Sequence, residues 1–209
     1  AREDIESMAY SFSFSDDLQQ EWQWSEKYSP QPELLKYAQH IADRFDLKSD
    51  IAFNTSVASA HFDDDAEEWL VTTQCGRRVR AQHLVMATGV LSASKTPDIA
   101  GRESYKGSTY TTGLWPKEGV DFTGKRVAVI GTGSSAVQAI PLIAEEAAEV
   151  VVYQRTATFT TPALNHKLAQ DDANAIKANY SDYRAKQRLN VLGVVNERSM
   201  DRAIDATPE

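Results

Sequence analysis

The residues best suited by type and spacing to do chemistry lie between Lys125 and Thr156. KRVAVIG, Lys125 to Gly131, is a short apolar run ending in glycine, and it leads directly into GTGSSA, Gly131 to Ala136, a G-x-G-x-x-A turn. Binding a pyrophosphate asks for such a turn. Gly131 permits a tight turn off a strand, Gly133 lets backbone N–H groups approach the anion, and Ala136 keeps the following helix close to the sheet. The helix N-terminus, with its unpaired N–H groups, then faces the phosphates. Taken alone the motif is weak, because a glycine turn can be purely structural. Here VQAIPLIAEEAAEV follows as a helix and VVVYQRT as a second strand, so strand, turn, helix and strand occur in the order and within the roughly 30 residues of a βαβ unit.

The end of the second strand separates the two nicotinamide cofactors. An NAD site places Asp or Glu about 20 residues beyond the turn, on the ribose 2′-hydroxyl. This chain has Tyr153-Gln154-Arg155-Thr156 there. A guanidinium gives charge-assisted, bidentate hydrogen bonds to a 2′-phosphate, and a hydroxyl adds another, whereas an acid would repel it. The reading is therefore NADP, with a solvated arginine at a strand end as the alternative for this feature by itself.

Other chemistries have little support. His40, His61, His83 and His166 are scattered with no H-x-x-H or C-x-x-C spacing, so no metal site is expected. No G-x-S-x-G elbow is present. The single cysteine, Cys75 in the polar QCGRR, cannot form an internal disulfide and fits a reducing, cytoplasmic setting; its simplest role is that of a bystander in a hairpin. Trp22, Trp24 and Trp69 read as packing residues. A net charge of −8 with scattered acids offers nothing to nucleic acid. No apolar run approaches the roughly 18 residues needed to span a bilayer, so no membrane partner is expected. AREDIESMAY at the start has neither a secretory pattern nor an initiator methionine, so the chain reads as internal to something longer.

Several elements must position these residues. Residues 1–30, rich in aromatics (SFSFSDDLQQEWQWSEKYSP), read as loop and short helix packed on a larger body rather than an independent core. In PELLKYAQHIADRFDL the residues Leu34, Leu35, Ala38, Ile41, Ala42 and Phe45 recur at helical spacing, with Pro32 in the first turn, which predicts a helix. IAFNTSVASAHFD, EEWLVTTQ and RRVRAQHLVMAT read as strands of a meander. The last, running into Ala87-Thr88-Gly89, is apolar enough to predict a buried parallel strand. From Ser92 to Thr123 prolines, glycines and aromatics break the pattern into a linker.

That linker carries a family resemblance. YKGSTYTTGLWP, Tyr105 to Pro116, resembles the fingerprint of Baeyer–Villiger monooxygenases, F-x-G-x-x-x-H-x-x-x-W followed by Pro or Asp. Gly107, Trp115 and Pro116 match, Tyr105 substitutes one aromatic for another, and Thr111 stands where the family has histidine. DIES with SFSF, QEWQWSEKY, the QPE helix start, ADRFDL, MATG-x-LS, FTGKRVAVIGTGSS and YQRT-x-TF-TPA-N are similar to the family in its own order, from Arg2 to about Asn165. Leu164 replaces the arginine of its TPARN.

The resemblance implies a Rossmann-like, three-layer α/β flavoprotein fold with two dinucleotide sites, here incomplete. It implies a partial FAD-binding domain over 1–95, a linker over 96–124, an NADP-binding βαβ unit over 125–165, and a helical or disordered insertion over 166–209. Family members use FAD and NADPH to insert oxygen into a small-molecule ketone, giving an ester or lactone. Residue by residue, it assigns Gly131, Thr132, Gly133, Ser134 and Ser135 to the NADP pyrophosphate and Arg155 with Thr156 to the 2′-phosphate. Asp4 becomes the flavin-side acid that partners an active-site arginine, and Val57, through its backbone, lies at the flavin adenine. Neither the FAD pyrophosphate motif nor that arginine has a counterpart in the 209 residues, so these residues alone are not expected to form a competent monooxygenase. Thr111 can donate a hydrogen bond but cannot titrate as histidine does, which predicts weaker coupling between NADPH binding and flavin chemistry. Three readings follow: part of a complete monooxygenase, a truncated relative that binds nucleotide or serves a structural role, and a repurposed isomerase or cyclase. The substrate and the oligomeric state are not legible in the sequence.

Overall fold

The computed structural model describes residues 2–191 and 193–195. The chain is mixed α/β and separates into two compact units, Ala1–Phe45 with Phe122–Glu209, and Asp46–Asp121.

In the first unit, helices α1 (Ser7–Tyr10), α2 (Asp16–Glu21) and α3 (Gln31–Arg44) come from the N-terminal third. The α3 helix forms where the apolar spacing predicts it. Pro32 sits in its first turn, and Asp46, in the left-handed region at φ 48°, ends it, as residues beyond a helix C-cap commonly do. The βαβ unit follows: β4 (Arg126–Ile130), α4 (Ser134–Glu146) and β5 (Glu149–Tyr153), numbered after three strands of the second unit. β4 and β5 pair in parallel, from Arg126 opposite Glu149 to Ile130 opposite Tyr153. Two further helices, α5 (Gln170–Ala178) and α6 (Tyr180–Leu189), close the unit; Leu192 and residues 196–209, which fall in the expected insertion, lie outside the described residues.

The core of this unit is aromatic and gathers residues distant in sequence. Met8, Leu18, Trp24, Tyr37, Ile41 and Tyr180 are buried together, with Trp22, Phe45, Ile176 and Tyr183 packed against them. Trp24 lies 4.8 Å from Tyr37 and Trp22 5.2 Å, ring centre to ring centre, separations at which aromatic pairs attract beyond their buried area. The body on which residues 1–30 pack is thus α3, α5 and α6, and Trp22 and Trp24 are packing residues as expected. Two buried cations fix the arrangement. Arg184 donates to the carbonyls of Ala9 (3.0 Å) and Ser11 (2.8 Å) and to Gln19 Oε1 (2.9 Å), while Lys177 Nζ donates to the carbonyls of Gln20 and Trp22, each at 2.7 Å. These carbonyls stand at the C-terminal ends of α1 and α2, where orphan acceptors and the helix dipole favour positive charge.

The second unit holds an antiparallel meander of β1 (Val57–Asp63), β2 (Glu68–Thr73) and β3 (Arg78–Ala81). Phe62 faces Trp69 across the first pair with ring centres 5.4 Å apart. The expected parallel strand before Gly89 is not formed. β3 stops at Ala81, and Val85, Met86, Val90 and Leu91 lie beyond it, 80–95% exposed. A parallel strand is stable only when covered on both faces and paired at its edge, and no strand among the described residues pairs with this segment. The pattern reported its apolar character correctly, but not a partner. The linker residues form two short 3₁₀ turns, Arg102–Ser104 and Thr112–Leu114.

Replacing Arg184 by leucine should leave the Ser11 carbonyl and Gln19 Oε1 without this donor, while the Ala9 carbonyl keeps Gln187 Nε2 at 3.0 Å, and lower the free energy of unfolding by about 2–3 kcal/mol. Arg188→Ala, on the exposed side of α6, should change it by no more than about 0.5 kcal/mol; urea unfolding of the two variants distinguishes them. Glu3 offers a pH test. Its carboxylate accepts from Ser7 Oγ (2.6 Å) and Ser29 N–H (3.0 Å), yet burial holds its pKa above 4.5. The folded state therefore keeps a proton that the unfolded chain releases, and stability falls as pH rises above 4.5. Glu3→Gln is expected to raise the thermal midpoint at pH 7.5 and to leave it unchanged at pH 4.

Candidate functional site

The β4–α4 turn has the geometry the sequence predicts. Gly131 adopts φ 103°, open to glycine and strained for other residues, and its N–H donates to the Tyr153 carbonyl at 2.9 Å. The turn is thereby fastened to the end of β5. Gly133 is the N-cap of α4 and has no side chain to satisfy the first N–H groups of the helix. A Cβ placed on Gly131 or Gly133 would meet no atom within 4 Å. The helix N-terminus thus opens on free space with donors unpaired by any cap, an arrangement that favours an anion. Ser134 and Ser135, the first residues of α4, are exposed at the same end.

The end of β5 lies against this turn. Gln154 Nε2 donates to Thr132 Oγ1 at 2.8 Å, and Thr132 and Thr158 hydroxyls are 3.5 Å apart. Arg155 and Thr156, between these two contacts, are exposed. The structure thus brings Gly131, Thr132, Gly133, Ser134, Ser135, Arg155 and Thr156 into one neighbourhood. Sequence reading missed Gln154, which ties the two halves together; its position directly before the arginine was the available signal.

Asp4 belongs to the same unit. It is exposed and borders an open cleft of about 340 Å³ that Ile5, Tyr28, Tyr183, Val194 and Val195 also line. The segment bearing it is held on both sides. Ser7 is fully buried, its hydroxyl within 2.6–3.0 Å of Glu3, the Glu26 and Lys27 carbonyls and Ser29. Arg2 contacts Glu26 and donates to the Tyr28 carbonyl at 3.1 Å. Glu26 also accepts from Asn165, and Asn165 Oδ1 takes the Tyr28 N–H at 2.9 Å, so the residues after β5 are joined to the N-terminal segment. Ser7 and Glu26 had no mark in the sequence beyond lying in DIES and WSEKY.

The remaining assigned residues are in the second unit. Val57 opens β1 opposite Thr73, and the ladder shifts register between it and Ser59. Thr111 is half-buried and precedes the 3₁₀ turn Thr112–Leu114, with its carbonyl accepting from Leu114 N–H at 2.9 Å. In the same motif a Cβ on Gly107 would lie 2.3 Å from Tyr105 Oη, so glycine is what lets that ring fold back over the chain. Leu164 adopts φ 49° with its side chain 78% exposed. No helix among the described residues is long and apolar enough to cross a membrane.

The family model described as pyridine nucleotide-disulphide oxidoreductase matches residues 4–200. Among curated proteins, the chain is 39% identical over its whole length to a Baeyer–Villiger monooxygenase of Pseudooceanicola batsensis, covering 38% of that protein. It is 41% identical over 85% of its length to cyclohexanone 1,2-monooxygenase of an Acinetobacter species, covering 32%. Among solved structures, oxidized steroid monooxygenase bound to NADP superposes with a TM-score of 0.89 at 47% identity, over 99% of this chain and 40% of that one. The chain therefore spans about a third to two fifths of the length of these relatives. With the α/β architecture, the open glycine turn and these likenesses together, the chain belongs to the pyridine nucleotide-disulphide oxidoreductase family and is homologous to part of its Baeyer–Villiger-type flavin monooxygenases.

Proposed function

We propose that this chain is the NADP-reading portion of an FAD- and NADPH-dependent Baeyer–Villiger monooxygenase that converts small ketones to esters or lactones with O₂. The observation that carries the reading is the uncapped, Cβ-free N-terminus of α4 fastened to the end of β5. Backbone N–H groups of Gly131, Thr132, Gly133, Ser134 and Ser135 would hold the pyrophosphate. Arg155 and Thr156 would hold the 2′-phosphate, and the lack of any acid at Gln154–Thr156 supports NADP over NAD. The open space at both glycines fits a nucleotide backbone approaching closely.

Bound NADPH supplies the hydride and bound FAD the oxygen chemistry; the protein holds, orients and shields them. Asp4 would stand on the flavin side, a role supported by its place on the 340 Å³ cleft. Val57 would meet the flavin adenine through its backbone, a reading supported by the break in ladder register beside it. Thr111 would occupy the fingerprint histidine's position as a hydrogen-bonding group that does not titrate, weakening the coupling of NADPH to flavin chemistry without abolishing nucleotide binding. In functional terms, 1–95 would contribute to the FAD domain, 96–124 would form the linker and 125–165 the NADP unit, with 166–209 beginning an insertion. A cytoplasmic setting is supported by the lone, exposed Cys75.

Arg155→Ala should weaken NADPH binding by about 1.5–3 kcal/mol, the worth of a charged hydrogen bond, and leave NADH affinity unchanged. Calorimetric titration with both nucleotides reads the difference. Equal losses for NADPH and NADH, or none for NADPH, would refute the 2′-phosphate assignment.

A further inference from the structure

The nucleotide turn and the Asp4 segment are joined by one side chain that neither assignment uses. Gln138 stands on α4 one turn beyond Ser134. Its Oε1 accepts the Arg2 backbone N–H at 2.8 Å, and its Nε2 donates to the Arg2 carbonyl at 3.1 Å. A primary amide thus pairs with both polar groups of one residue, as a neighbouring strand would. Arg2 pairs on its other side with Pro30, so Gln138 serves as the missing strand on the free edge of the segment. Asp4 is two residues away, between this anchor and buried Ser7.

We infer that Gln138 is a positioning residue: it fixes Asp4 relative to the nucleotide turn and transmits nucleotide occupancy at the N-terminus of α4 to the residue 2–7 segment. The inference rests on the function proposed above and adds a route by which the NADP site governs the cleft. The alignment is direct, because an anion that orders the first turn of α4 orders the turn carrying Gln138, and the paired amide moves with Arg2. Leucine has a similar volume but no polar group, and would leave the Arg2 N–H and carbonyl unpaired at an exposed edge where water can reach them. The fold should therefore survive the substitution while the link is lost.

Hydrogen exchange of residues 2–7 in the whole protein, with and without saturating NADPH, tests this apart from turnover. In the wild type, NADPH should slow exchange across the segment several-fold. In Gln138→Leu that protection should disappear, while the NADPH dissociation constant stays within about twofold and the thermal midpoint is unchanged. Gln138→Glu, which keeps the acceptor and loses the donor, should retain part of it. In turnover, kcat should fall about tenfold in Gln138→Leu with the KM for NADPH nearly constant. Undiminished protection in Gln138→Leu would overturn the inference, as would a tenfold loss of NADPH affinity, which would make Gln138 a nucleotide contact. A wild type that binds no NADPH would instead sink the proposed function. The anchoring by Gln138 would then still show as faster exchange of residues 2–7 in the nucleotide-free variant, and equal rates there would overturn it too.

Discussion

The structure turns on a helix that begins without a cap. Most helices satisfy their first N–H groups with a serine, threonine or aspartate side chain at the N-cap, as Ser15 does for α2. In α4 that position is Gly133, and the donors are left to whatever enters the open space before them. The other helices α1, α3, α5 and α6 also begin without a side-chain cap; α4 differs in that its glycine turn leaves the space before the donors open to an anion. Nearby contacts preserve the opening: Gly131 N–H is bound to Tyr153, Thr132 to Gln154, and parallel pairing holds β4 beside β5. None of these contacts fills the space.

Around that opening, the rest of the first unit is held by cations on carbonyls and by stacked aromatics. Arg184 and Lys177 reach across more than 150 residues of sequence to the ends of α1 and α2. Desolvation lowers the pKa of both, so each gives up hydration that its carbonyl acceptors must replace. The segment carrying Asp4 is sandwiched between this core and α4, with buried Ser7 on one side and the Arg2–Gln138 pair on the other. Placement of a single exposed acid thus depends on three separate stretches of chain.

The βαβ unit, α3 and the meander were legible because each announces itself locally: glycines at a forced turn, apolar residues at helical spacing, alternation between acidic turns. Gly131 through Ser135, Arg155 and Thr156 could be gathered for the same reason, since they lie within one supersecondary unit. Long-range pairing was not legible. Nothing in DYRAK or NAIKAN marks Arg184 or Lys177 as a buried cap on helices near residue 10 or 20. Nothing in VQAI marks Gln138 as the partner of Arg2. The run before Gly89 shows the opposite failure, because HLVMAT has the composition of a covered strand, whereas strand formation depends on neighbours that composition does not contain. The departures from the family motif are easier to place physically. Leu164, in the position of an arginine, points its side chain into open surroundings, and Thr111 keeps a hydroxyl at the edge of a 3₁₀ turn.

The central claim is that a pyrophosphate completes α4 at Gly133. Valine at this position is conformationally acceptable, since φ is −72° with extended ψ, and a Cβ there meets nothing within 4 Å; the fold should tolerate it, while the approach to the N–H groups is blocked. Calorimetric titration of the wild type and Gly133→Val with 2′-phospho-ADP-ribose, which carries the phosphates without nicotinamide, isolates this interaction. Binding by the wild type and none by the variant, at equal thermal midpoints, is the result the account predicts. Equal affinity in the two proteins would contradict it.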